Sequence, residues 1–98
     1  MFDITCGDAG VVALKGRLDA AECPRAQQFL DTVHDPAMLD FSGLEYISSA
    51  GLGLLLALHK RLLAKGGGLR LINVNKYICD VFRFSGFDRV FKVEPAAA

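Results

Sequence analysis

Leu39-Asp40-Phe41-Ser42-Gly43-Leu44-Glu45-Tyr46-Ile47-Ser48-Ser49-Ala50-Gly51-Leu52-Gly53 is the stretch on which the fold turns. An apolar run ends, a connector follows, and two serines open a segment of leucines and small residues. Ala37 to Phe41 is short and apolar apart from Asp40, which predicts a buried central strand. Ser42-Gly43 is expected to break it, leaving Leu44 to Ile47 as a connector. From Ser49 to about Ala64 the apolar residues recur at helical spacing. Leu52, Leu55, Leu56, Leu62 and Leu63 fall on one face of that helix, with His59 in its middle. Leu54 and Leu58 lie at the edge of the face, and Gly53, Ala57, Lys60 and Ala64 lie opposite. A strand feeding a helix in this way is half of a strand-helix-strand unit, and so predicts a parallel sheet.

Working outward, Phe2 to Cys6 reads as an edge strand and Gly7-Asp8-Ala9-Gly10 as a turn. Val11 to Leu14, extended to Arg17, completes a hairpin. Asp19 then opens a helix as its cap, with Glu22 three residues on as in a capping box and Pro24 in the first turn. Cys23, Ala26, Leu30 and Val33 give that helix its apolar stripe. His34 falls at its C-terminus and Asp35-Pro36 ends it. On the other side, Gly66-Gly67-Gly68 stops the serine-led helix and Leu69 to Val74 forms a strand. Asn75 caps a further helix with Ile78, Val81 and Phe82 inward, ended by Ser85-Gly86. Val90 to Val93 is a last strand, and Pro95 to Ala98 reads as a short disordered tail. The expected order is β-β-α-β-α-β-α-β over residues 1–94. This is a single α/β domain with a mixed, mostly parallel sheet and helices packed against it.

Composition narrows the function. Hydrophobic residues make up 52% of the 98 and charged residues 22%, which argues against disorder. Eleven basic side chains balance eleven acidic ones, so no basic face for nucleic acid is expected. Lys60, Arg61 and Lys65 suit the last turns of a helix, where the dipole favours cations. No basic-then-apolar leader is visible, and the most apolar run, Gly51 to Leu58, is too short to span a bilayer. Cys6, Cys23 and Cys79 have no metal-ligand spacing and read as reduced structural thiols in a cytoplasm. Gly66-Gly67-Gly68 lacks the Lys-Ser/Thr ending of a phosphate-binding loop, and Ser49 lacks a Gly-x-Ser-x-Gly elbow. An enzyme is therefore not expected, and neither is a metal or cofactor.

The chemistry left is that of a helix start. Free N–H groups and the positive end of the dipole hold a phosphate well there. Two readings of the serine pair stand together: Ser48 as a plain N-cap, and a serine as a phosphate acceptor. His59 reads as a satisfied core histidine. Asp40 is expected to bond the backbone of the serine turn or to assist phosphoryl transfer.

This segment resembles the STAS domain of bacterial anti-sigma factor antagonists. The family pattern ends a strand in Leu-Asp-hydrophobic-Ser and opens a helix at Asp-Ser-Ser/Thr-Gly-Leu-Gly. Here it reads Leu39-Asp40-Phe41-Ser42 and Ser48-Ser49-Ala50-Gly51-Leu52-Gly53. Gly16-Arg17-Leu18-Asp19 and Phe84-Ser85-Gly86-Phe87 extend the likeness over nearly the whole chain. The resemblance implies phosphorylation at Ser49, with Ser48 as a competing acceptor. It also implies a cycle of partners. The unphosphorylated form binds an anti-sigma factor with a histidine-kinase-like ATP-binding fold, which then acts as the serine kinase and releases the product. A metal-dependent serine/threonine phosphatase resets it. The expected contact surface is Asp19, Asp40, Ser48, Ser49, Gly51, Gly53, Leu54, Ala57 and Arg61, with Leu58 beside Leu54 at its edge. Two departures stand out: Ser48 replaces the family's Asp, and Ala50 its Ser/Thr.

Two rival classes remain at this point. One is a STAS accessory subunit of a transporter, bound to an ATPase without phosphorylation. The other is a small-ligand or nucleotide sensor, for which only the helix start speaks. The protein alone is expected to be a monomer.

Overall fold

The computed structural model describes residues 1–7, 10–33 and 37–96. Asp8 and Ala9 of the expected turn, His34, the Asp35-Pro36 helix stop, and Ala97 and Ala98 lie outside the described residues. The elements are β1 (Phe2–Cys6), β2 (Val11–Leu18), α1 (Cys23–Leu30), β3 (Ala37–Ile47), α2 (Ser49–Leu63), β4 (Leu69–Val74), α3 (Lys76–Ser85) and β5 (Lys92–Pro95), with a 3₁₀ turn at Phe87–Arg89. The sheet order is β1-β2-β3-β4-β5. β1 and β2 pair antiparallel, from Phe2 opposite Gly16 to Cys6 opposite Val12. The other neighbours pair parallel. Each crossover steps the same way along the sheet. Because such crossovers are right-handed, all three helices are carried to one face.

The strands follow this one-sided burial. In β2, Val12, Leu14 and Leu18 point into the core. In β3 the inward residues are Leu39, Phe41, Leu44 and Ile47, a spacing that strict alternation cannot give. Ser42-Gly43 does not break this strand as expected. Ala13 and Lys15 of β2 oppose Asp40 and Gly43, and Gly16 and Arg17 oppose Leu44 and Tyr46. Each step leaves β3 one residue longer than its partner, so two bulges absorb the Ser-Gly and Glu45 positions. Each bulge also reverses the side-chain parity, which returns Leu44 and Ile47 to the core.

The helices need smaller corrections. α1 starts at Cys23, with no side chain capping its first turn. Asp19 does accept from the Glu22 N–H at 3.2 Å, but this closes a turn ahead of the helix. Val33 lies beyond the last helical residue, Leu30. In α2 the buried face is Leu52, Leu55, Leu58, His59 and Leu62, whereas Leu63 is 53% exposed. The face is turned toward Leu58 because α2 packs against α1 as well as the sheet. Gly66, at φ +87°, ends the turn after it. The last strand is Lys92–Pro95, not Val90 to Val93, since the 3₁₀ turn occupies Phe87–Arg89. Pro95 pairs with Val74, and the Ala96 N–H donates to the Val74 carbonyl at 2.9 Å, so these two residues of the expected tail are held by the sheet.

The core between sheet and helices is dominated by leucines and four phenylalanines, Phe2, Phe41, Phe82 and Phe91. Phe82 meets Phe41 at 6.3 Å and Phe91 at 5.7 Å between centroids, the latter edge to face. His59 is a core residue, as expected. It is 7% exposed, its Nδ1 accepts from the Leu69 N–H at 3.2 Å, and its ring stands edge-on to Phe91. All three cysteines are free; Cys23 and Cys79 are half-buried, while Cys6 is exposed rather than packed.

Candidate functional site

The parallel strands β2, β3 and β4 end at Leu18, Ile47 and Val74, and the residues that follow them are Asp19, Ser48 and Asn75. Parallel pairing puts these ends at one edge of the sheet. The Ser48 N–H donates to the Leu18 carbonyl at 2.9 Å, which ties the serine pair to the end of β2. Ser48 is the extended N-cap of α2, and its Oγ accepts from the Gly51 N–H at 3.1 Å. The Cys23 thiol donates to the Asp19 carbonyl at 3.3 Å. Burial pushes that thiol up; its contact with the Ser48 hydroxyl pulls it back, and the Asp19 charge pushes it up again. Ser48 is thus half-buried and engaged on two sides.

Ser49 differs from it. It is the first residue of α2, it is exposed, and its hydroxyl makes no hydrogen bond among the described residues. Ala50 beside it is also exposed. A phosphate on Ser49 would stand at the positive end of a fifteen-residue helix with no acidic side chain in its first turn.

The implied contact residues divide. Gly53 faces open space, Ala57 is exposed and Leu54 is half-buried. These three form one surface running down α2 from Ser49. Beside it lies a depression of about 120 Å³ between α1 and α2, lined among others by Gln27, Asp31, Leu54 and Ala57. Arg61 borders it, but its guanidinium donates to the Leu30 and Val33 carbonyls at 2.8 and 3.1 Å. Arg61 therefore satisfies the C-terminal carbonyls of α1 and fixes the two helices together. Asp19 sits at the same edge of the sheet, half-buried in its turn.

Two residues do not belong to that surface. Gly51 is buried: a Cβ there would come within 2.8 Å of Ile47 Cγ1 and 3.2 Å of Leu18 Cγ. It is small so that the first turn of α2 can sit on the strand ends. Asp40 lies seven residues before the end of β3, roughly 20 Å from the serines in an extended strand. Its carboxylate does not reach the serine turn; it accepts from the Ser42 N–H at 2.9 Å and the Asn73 side-chain amide at 3.1 Å. Burial alone would raise this carboxyl, but those two donors and the Ser42 hydroxyl outweigh it and hold it below its ordinary value. Asp40 braces the first bulge of β3. Cys23, Gln27 and Asp31 were not anticipated at the site. Gln27 on α1 and Asp31, its C-cap, are four apart, a spacing that places them on one helix face.

The sequence profile of the family described as "Mlab, STAS domain" matches residues 5–94. BtrV of Bordetella bronchiseptica, assigned as an anti-sigma factor antagonist, is 33% identical over 96 residues, covering 90% of this chain and 83% of its own. The chain belongs to the STAS domain family of anti-sigma factor antagonists. The fold agrees. An anti-sigma factor antagonist from Mycobacterium paratuberculosis superposes with a TM-score of 0.80 at 23% identity, covering 97% of this chain and 85% of that one. SpoIIAA of Bacillus in its phosphorylated form superposes at 0.69 and 23% identity, covering 95% and 90%. No helix among the described residues is long and apolar enough to cross a membrane.

Proposed function

We propose that this chain is a phosphate-controlled binding protein in which Ser49 is the switch. The observation that carries the reading is the division of labour within the serine pair. Ser48 Oγ is committed to the helix cap, while Ser49 is exposed and uncommitted at the helix start. Unphosphorylated, the surface of Ser49, Gly53, Leu54 and Ala57 takes an anti-sigma factor that is also an ATP-dependent serine kinase. Its small side chains allow a partner's backbone to come close. Transfer of the γ-phosphoryl to Ser49 Oγ then adds about −1.5 to −2 charges to that contact, and repulsion and desolvation release the partner. A metal-dependent phosphatase restores the hydroxyl. The chain itself is not an enzyme and works in the cytoplasm, where kinase and ATP are found. The assignment of BtrV as an antagonist and the existence of SpoIIAA in a phosphorylated form support this reading.

Phosphopeptide mass spectrometry on the protein isolated from its own organism tests it, beside a Ser49→Ala strain. Phosphate on Ser49, lost in the variant, is expected. Phosphate on Ser48 alone would keep the switch and overturn the site. A second reading rests on Ser48 occupying the position of the family's Asp: a transporter subunit held to an ATPase through the same α2 surface. A protein free of phosphate under every growth condition, copurifying with an ATPase, would favour it.

A further inference from the structure

α3 carries an outward face that the proposed switch does not use. Phe84 is 82% exposed and Tyr77 is 53% exposed, the two largest exposures of any aromatic side chain described. They lie seven residues apart on α3, and so on one side of it, with Asp80 between them; Val81 is partly buried and packs against the core, as its spacing predicts. The opposite side holds the buried Ile78 and Phe82. The Arg83 guanidinium lies 5.4 Å from the centre of the Phe84 ring and donates to Asp80 Oδ1 at 2.9 Å. A cation, an anion and two aromatic rings thus share one short stripe. α3 packs against β3 and β5, whereas the switch surface lies on α2 beside α1.

We infer that this stripe is a self-association face and that its occupant is the same stripe of a second copy, laid antiparallel. The argument is self-complementarity. A two-fold axis lying between the two helices, level with the midpoint of Asp80 and Val81, sets Tyr77 against Phe84 of the second copy, twice. It also brings each Arg83 within reach of the other copy's Asp80. A two-fold contact sets a surface against itself, and this stripe offers aromatic ring to aromatic ring and cation to anion. The formal net charge of zero adds no long-range repulsion between copies. A ten-residue helix is about 15 Å long, too short for one of its faces to bury the roughly 800 Å² per partner of a stable interface. The pair is therefore weak and concentration-dependent, and a monomer prevails in dilute solution.

Sedimentation equilibrium on the full chain, from about 10 µM to about 1 mM, reads this directly. The weight-average mass is expected to climb from 10.6 kDa toward twice that value, with concentration-dependent amide shifts at Tyr77, Asp80 and Phe84. Phe84→Glu is expected to weaken association at least about 30-fold. Since Phe84 is so exposed, its circular dichroism and melting should match the parent. Asp80→Lys should weaken it about 10-fold, and adding Arg83→Asp should restore it. A mass fixed at 10.6 kDa to the highest concentration would overturn the inference. So would unaltered association of Phe84→Glu, or a double reversal that restores nothing. Monomeric protein binding phosphatidylglycerol vesicles through Phe84 would overturn it in favour of a lipid surface. None of these results bears on Ser49, so this inference and the switch fail separately.

Discussion

α2 and α3 both begin at the same edge of the sheet, each directly after a parallel strand and each under a side-chain cap. They differ in what the cap leaves over. Asn75 uses both ends of its amide: Oδ1 accepts from the Ile78 N–H at 2.9 Å, and Nδ2 donates to the Leu44 carbonyl at 2.9 Å. β4 pairs with β3 only from Ala37 to Asp40, so Leu44 has no ladder partner on that side and the cap supplies one. The start of α3 is closed, and its next residues are Lys76 and Tyr77. At α2, Ser48 makes the cap with one short hydroxyl, and the next residues are the small, exposed Ser49 and Ala50. One helix start joins strands together. The other leaves a hydroxyl free at the positive end of a dipole.

The comparison is broken most severely at Gly51. Gly51→Val drives methyl groups into Leu18 and Ile47 and should cost about 3 kcal/mol, lowering the melting temperature by roughly 12–20 °C. A smaller loss would mean that α2 can lift off the strand ends. Next comes Asn75→Ala, which removes two hydrogen bonds and leaves Leu44 unpartnered. About 2 kcal/mol is expected in urea unfolding, with phosphorylation of Ser49 unaffected. Last, the serines should separate. Ser48→Ala should cost about 1 kcal/mol, and Ser49→Ala less than about 0.5 kcal/mol. Equal costs for the two serines would remove the basis for treating Ser49 as the uncommitted one.

Much of this was legible in the residues. Element order, the two helix caps at Ser48 and Asn75, and the core role of His59 follow from local spacing and cap chemistry. What escaped was set by neighbours. Ser42-Gly43 looks like a strand end, yet β2 holds β3 straight through it by tolerating two bulges. Leu58 and Leu63 exchange places because α1, not only the sheet, decides which side of α2 is inward. Asp40 reads as a partner of the serine turn, but a strand as long as Ala37–Ile47 carries it far away, to Ser42 and Asn73. Gly51 reads as a contact glycine and is a packing one. Only the third dimension tells which small residue faces a partner and which faces a leucine.

The strand order has a consequence for the kind of recognition this fold permits. In open α/β sheets, the crevice that accepts a nucleotide opens where successive crossovers part to opposite sides of the sheet. Here the strands advance from β1 to β5 without reversing, so the helices never part and no such crevice is created. The sheet edge becomes a row of helix starts. For the switch proposed above, that edge is where another macromolecule would be laid, and a single covalent group on it is enough to change what can be laid there.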